Sequence, residues 1–144
     1  MLLGEYEHTI DEKNRLTLPA KFRSDFVDGV VLTRGLDGCL QAYRRPDWDR
    51  LVESRLAPLD PFSKEARRMQ RFLFSGASET DLDKQGRVMI PAALLVHAKL
   101  QRDVVVAGVH DHLEIWDRET WRLELAEVEG SAEDVAERLA AKHD

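Results

Sequence analysis

From Glu5 to Leu18 the apolar residues Tyr6, Ile10, Leu16 and Leu18 all fall on even positions, on either side of the charged stretch Asp11-Glu12-Lys13-Asn14. A period of two predicts half-buried strands, so Glu5–Ile10 and Arg15–Leu18 form two short strands joined by a tight turn. The pattern returns downstream, where Ser78–Leu82 and Arg87–Ile90 predict a second hairpin with Gly86 at the place Asn14 holds in the first. Gly and Asn both tolerate the positive φ that such turns demand. Each returning strand meets a proline, Pro19 or Pro91, which suits a first helical position because its missing N–H has no partner there. Short helices are expected over Pro19–Asp25 and Pro91–Lys99. Apolar, β-branched runs at Val30–Thr33 and Val104–Ala107 and alternating runs at Leu40–Tyr43 and Leu113–Trp116 complete two β-β-α-β-β units of about 43 residues each.

The likeness extends to single residues. Asp11, Arg15, Pro19 and Ala20 recur 72 positions later as Asp83, Arg87, Pro91 and Ala92. Farther on, Val31, Leu40 and Trp48 are echoed at an offset of 73 by Val104, Leu113 and Trp121. The chain is therefore an internal duplication: residues 5–47 and 76–119 are the two copies, 48–75 a helical linker and 120–144 an acidic helical end. Apolar positions at helical spacing predict linker helices over Pro46–Leu56, started by Asp47, and after Ser63, with Phe62, Ala66, Met69 and Leu73 on one stripe. Ser131 and Asp134 suggest a capping box opening a last helix over Ser131–Lys142.

One copy alone has four short strands and a two-turn helix, too little apolar surface for independent stability, and it leaves strand edges open. Two copies remove both difficulties by interleaving their hairpins. The fold expected is mainly β with helices (α+β), two tandem units interlocked into one small closed barrel, with the two charged turns at symmetry-related positions.

The bulk numbers change this picture little. In 144 residues 43% are hydrophobic and 33% charged, as in a folded domain. No run approaches the roughly 18 apolar residues of a membrane span, and the N-terminus lacks the basic start and apolar core of a secretory signal. The single cysteine, Cys39, has no partner for an internal disulfide, which fits a reducing cytoplasm. The net charge of −6 is misleading: residues 111–144 hold eleven acids and four bases, whereas residues 1–110 hold sixteen acids and seventeen bases. An acidic end masks a neutral-to-basic body, so whole-chain charge does not argue against a nucleic-acid partner.

The Asp-x-x-x-Arg turn followed by an apolar-Pro-Ala step resembles the SpoVT/AbrB swapped-hairpin DNA-binding module. Two copies in a chain of this size, opening Gly4-Glu5-Tyr6-Glu7-His8, resemble the MraZ family of bacterial transcriptional regulators. The resemblance implies a cytoplasmic, nucleoid-associated repressor at the promoter of the division and cell-wall gene cluster. It also implies a ring-shaped homo-oligomer on short direct repeats of double-stranded DNA, with no cofactor, no membrane and no small-molecule substrate. The family signature falls on Asp11 with Arg15 and on Asp83 with Arg87. The first copy departs from the usual Lys-Gly-Arg by reading Lys13-Asn14-Arg15.

The residues support that chemistry independently. A hairpin tip is narrow enough to enter the major groove, and arginine offers a planar fork to guanine O6 and N7. Arg15, Arg87, Lys13 and Lys84 are the expected contacts to bases and phosphates, with Asn14 and Gln85 adding hydrogen bonds. Asp11 and Asp83 orient the arginines or bond turn N–H groups, and Gly86 shapes its turn, since a carboxylate facing phosphate is repelled. Lys64, Arg67, Arg68 and Arg71 read as a solvated face or a subunit contact. His110-Asp111-His112 lacks the third and fourth ligand that zinc requires and reads as a turn, His8 and Cys39 read as ordinary packing or surface residues, and Trp48, Trp116 and Trp121 read as packing residues. No nucleophile–base pair and no phosphate-binding glycine loop is visible, so no enzyme is expected. An alternative is an antitoxin-like DNA-binding module whose acidic C-terminal tail binds a protein toxin.

Overall fold

The computed structural model describes residues 1–143. The first copy comprises β1 (Leu2–Thr9), β2 (Arg15–Thr17), α1 (Ala20–Arg23), β3 (Val30–Arg34) and β4 (Leu40–Arg44). The second comprises β5 (Ser78–Thr80), β6 (Arg87–Met89), α4 (Ala92–His97), β7 (Asp103–His110) and β8 (His112–Asp117). Between them lie α2 (Arg45–Leu51) and α3 (Lys64–Ser75), and α5 (Arg118–His143) follows. The prolines stand one residue earlier than expected, as the caps of α1 and α4 in extended conformation rather than inside them.

The fold is α+β, and the copies interleave. A six-stranded antiparallel sheet runs β1-β7-β8-β4-β3-β5, while β2 and β6 form a separate two-stranded ribbon. Thus β1 pairs with β7, β5 with β3, β4 with β8 and β2 with β6, each ladder joining one copy to the other. The expected single closed barrel is not what the ladders form. After Thr9 the first strand keeps only the bridge Ile10–Leu16 to the ribbon. The ribbon strands themselves end before Pro19 and Pro91, which have no N–H to extend a ladder.

A twofold relation is written into the registers. On the ribbon Leu16 pairs with Val88, its own counterpart, and on the sheet Gln41 pairs with its counterpart Glu114. The β3 and β7 strands are equivalent at 74 residues rather than 73: Val31 lies opposite Tyr43, and Val105 lies opposite Trp116. The β3–β4 connection holds the extra residue, in the short helical turn Leu36–Gly38 with Asp37 at φ 69°. Side chains alternate faces with period two, so a one-residue shift would turn the whole strand inside out; packing fixes the register.

The core lies between the sheet and the ribbon. Leu2, Leu16, Leu18, Phe22, Phe26, Leu32, Leu40, Val88, Ile90, Val106, Leu113 and Ile115 are all within 1% of full burial. Removal of each such side chain from water is worth about 1.5–3 kcal/mol. The other face of the sheet carries the longer helices. Trp48 on α2 packs on Tyr43 (centroids 5.7 Å), Thr33 donates to the Leu73 carbonyl of α3 (2.7 Å), and Trp121 on α5 leans on Trp116 (5.7 Å). Ser63 caps α3 by accepting the Ala66 N–H at 3.3 Å.

Two corrections concern the helices. The segment begun at Arg45 tightens to an α-helix ending at Leu51 and then widens to a π-helical turn over Val52–Leu56. The C-terminal helix is continuous from Arg118, so Ser131 and Asp134 open nothing. Ser131 sits mid-helix, where its hydroxyl donates to the Glu127 carbonyl at 2.9 Å, the alternative open to serine inside a helix.

Candidate nucleic-acid interface

Both turns are built alike, bond for bond. In the first, the Asp11 N–H donates to the Arg15 carbonyl and the Asn14 N–H to the Asp11 carbonyl, each at 3.0 Å. The Asp11 Oδ1 accepts the N–H groups of Lys13 and Arg15 at 2.9 Å, and Oδ2 accepts Arg15 Nε–H at 2.8 Å. In the second, Asp83 Oδ1 accepts Gln85 and Arg87 N–H at 2.9 Å, and Oδ2 accepts Arg87 Nε–H at 2.6 Å. Aspartate suits this place because its short side chain reaches the N–H groups two and four residues on. Asn14 and Gly86 take the left-handed position, at φ 61° and 75°. Asparagine is one of the few side chains that visits that region at low cost, which is how the first copy dispenses with glycine.

The N–H of the following arginine, ahead of its guanidinium, holds each aspartate pKa below the ordinary carboxylate value. Both carboxylates are open to solvent, so these pairs contribute little to stability. What they do is geometric: each guanidinium is tied to its aspartate through Nε. Among the described residues the Nη groups have no hydrogen-bond partner, and the side chains keep 28% (Arg15) and 24% (Arg87) of their surface exposed.

The ribbon decides where the arginines point. Arg15 lies opposite Met89 and Thr17 opposite Arg87, with Leu16 and Val88 between them turned fully into the core. Residues opposite each other share a face, and so do residues two apart on one strand. Arg15, Arg87, Thr17 and Met89 therefore project together from the outer face. The ribbon is extended at both ends by Ile90 N–H to the Asn14 carbonyl (2.8 Å) and Leu18 N–H to the Gly86 carbonyl (2.9 Å). Each turn is thus pinned to the other copy's returning strand. Lys13, Asn14, Lys84 and Gln85 are exposed at the tips beside this face.

Two basic neighbours were invisible in the sequence. Arg23 lies against the second turn, so close that a Cβ on Gly86 would sit 2.6 Å from its Cδ, and its Nε donates to the Leu18 carbonyl at 3.0 Å. Arg102 lines a recess with Lys13 and Arg15 at the first turn, where its carbonyl accepts the Ile10 N–H at 2.8 Å. Both approaches depend on tertiary packing and carry no local motif. By contrast, Lys64, Arg68 and Arg71 are exposed on α3, across the sheet from the ribbon, and Arg67 donates to the Pro61 carbonyl at 2.9 Å.

The other flagged residues are placed as follows. His110 takes the left-handed position at the β7–β8 corner (φ 69°), and His112 bonds Asp111 at 2.7 Å while stacking on Tyr43. Among the described residues no group of three or more His, Cys, Asp or Glu side chains converges to hold a metal ion. Cys39 is buried, and burial pushes its thiol pKa up to about 12. Trp48 and Trp116 are buried, and Trp121 donates from Nε1 to Glu5 at 2.8 Å. No helix among the described residues is long and apolar enough to cross a membrane.

Comparison with known proteins gives a consistent answer. A protein of Limosilactobacillus fermentum called "Transcriptional regulator MraZ" is 48% identical over 144 residues, which is 100% of this chain and 97% of that one. Proteins with the same name from Thermoanaerobacter pseudethanolicus and Heliobacterium modesticaldum are 46% and 48% identical over 139 and 140 residues, covering 96% of each chain. The family model described as "MraZ protein, putative antitoxin-like" matches twice, over residues 1–72 and 73–142. With both copies matched and relatives aligned nearly end to end, the chain belongs to the MraZ family.

Proposed function

We propose that the chain is a sequence-specific, DNA-binding transcriptional regulator, a repressor at the promoter of the division and cell-wall gene cluster that includes its own gene. It works in the cytoplasm, on the nucleoid. One observation carries the reading: Arg15 and Arg87 project from one face of a two-stranded ribbon, each held by its own aspartate through Nε. A two-stranded ribbon fits the major groove, and guanidinium Nη groups pair with guanine O6 and N7. Lys13 and Lys84 at the tips neutralise phosphates, while Asn14 and Gln85 add hydrogen bonds. Asp11 and Asp83 orient the arginines. The names borne by the relatives support the same class of activity.

A single ribbon neutralises few phosphates and binds weakly. A homo-oligomeric ring offers several ribbons to short direct repeats, and effective concentration turns modest contacts into a durable complex. Successive repeats on one face of the duplex then lie roughly 10 bp apart. Leu3, Phe74 and Val109, 40–52% exposed and away from the turns, supply apolar surface for subunit contacts.

The test is a gel shift on the DNA upstream of the chain's own reading frame. The double variant Arg15→Ala, Arg87→Ala keeps its fold and assembly but loses specific affinity by about ten- to a hundredfold per arginine. Unchanged affinity defeats the reading. A second reading, an antitoxin-like module, is favoured by the exposed acidic helix α5 and by the family description. It requires a toxin that co-purifies with the full chain and is lost on deletion of residues 122–144.

A further inference from the structure

We propose that Thr17 and Met89 are base readers, contacting thymine 5-methyl groups on either side of the guanines that the arginines contact. The inference rests on the DNA-binding reading above and adds what the ribbon reads besides guanine. Its starting point is Met89, an apolar side chain left 54% exposed. The neighbouring positions Val88 and Ile90 are the ones turned into the core, at 0% and 1% exposure. Strand parity therefore holds Met89 outward, directly opposite Arg15. Its counterpart in the first copy is Thr17, opposite Arg87, whose side chain ends in a methyl and a hydroxyl.

In the major groove guanine offers two acceptors, whereas thymine offers one acceptor and a 5-methyl group, so a face carrying both guanidinium and apolar groups has both kinds of base feature to meet. Cross-strand partners stand about 5 Å apart, and bases along one strand about 3.4 Å. An arginine and its cross-strand neighbour consequently reach bases one or two steps apart. The ribbon's twofold relation exchanges Arg15 with Arg87 but sets a threonine where the other copy has a methionine. The site read is then alike at its two guanines and unlike at its two thymines, because methionine, with three rotatable bonds, reaches farther than threonine. An unlike pair gives the site a direction, as repeats in the same orientation require.

The test compares two versions of the upstream duplex, one made with thymine and one with uracil, which lacks only the methyl group. The wild-type chain should bind the thymine duplex more tightly, about fourfold for each methyl contact. Met89→Ala and Met89→Gln should each bind the thymine duplex more weakly and show a smaller thymine-to-uracil ratio, with unchanged thermal unfolding. Thr17→Ala should narrow the ratio further. Equal wild-type affinity for the two duplexes, or an unaltered ratio in both Met89 variants, overturns the inference. If binding is lost in Arg15→Ala, Arg87→Ala while both duplexes bind the wild type alike, the inference alone fails. If the wild type binds neither duplex, the DNA reading fails with it.

Discussion

An aspartate that accepts two backbone N–H groups and one guanidinium is a small device for aiming a side chain, and this chain contains it twice. The hydrogen bonds favour the ionised carboxylate, so the sign of its pH dependence follows directly. With the folded pKa depressed, the turn's contribution is complete at neutral pH and is lost as pH falls through the lowered value. The double variant Asp11→Asn, Asp83→Asn should therefore be less stable than the wild type at pH 7 and approach it in acid. Urea midpoints measured between pH 7 and pH 3 check this; a constant gap across that range would mean that the carboxylates are not the source. Much of the device was legible in the sequence, because Asp, a positive-φ residue and Arg recur at fixed spacing. Strand alternation puts Thr17 beside Arg15 and Met89 beside Arg87, but that all four share one face appears only once β2 is known to pair with β6.

At the scale of elements, the strands, the tight turns and the apolar runs were readable because their periods are local. Three features were not. Deciding which copy each strand pairs with needs long-range contacts, and the 74-residue equivalence of β3 and β7 is hidden by a loop one residue longer. The unbroken α5 overrides a plausible start signal, as helical continuity often does when a serine can bond back to its own helix. The β1–β7 ladder makes a sharp demand at Gly108, opposite Gly4. A Cβ there would meet the backbone of β1, 2.5 Å from Leu3 N and 2.6 Å from the Leu2 carbonyl carbon. Backbone cannot swing aside as a side chain does, so Gly108→Ala should cost about 1–3 kcal/mol, read as a lower urea midpoint. A neutral result would show that β1 can slide away from β7 freely.

For the whole molecule, the decisive fact is that each copy is finished by the other. Besides the ladders, twin arginines at the starts of α2 and α5 cross between copies: Arg45 reaches Glu79 (3.3 Å) and Asp81, while Arg118 of the second copy reaches Glu7 (3.9 Å) of the first. Residues 1–72 or 73–144 produced alone should show no cooperative unfolding transition, whereas mixing them should restore one. A half that melts cooperatively by itself would contradict the interleaved core.

The same exchange of strands bears on where such a chain comes from. Because the axis runs through residues that face their own counterparts, a polypeptide carrying a single copy would find every missing partner in its twin. It would build this body as a homodimer. Joining two genes end to end would then change the covalent path while leaving the architecture intact, and it would release the copies to diverge. Threonine in one ribbon strand and methionine in the other is a divergence that two identical subunits could never have held.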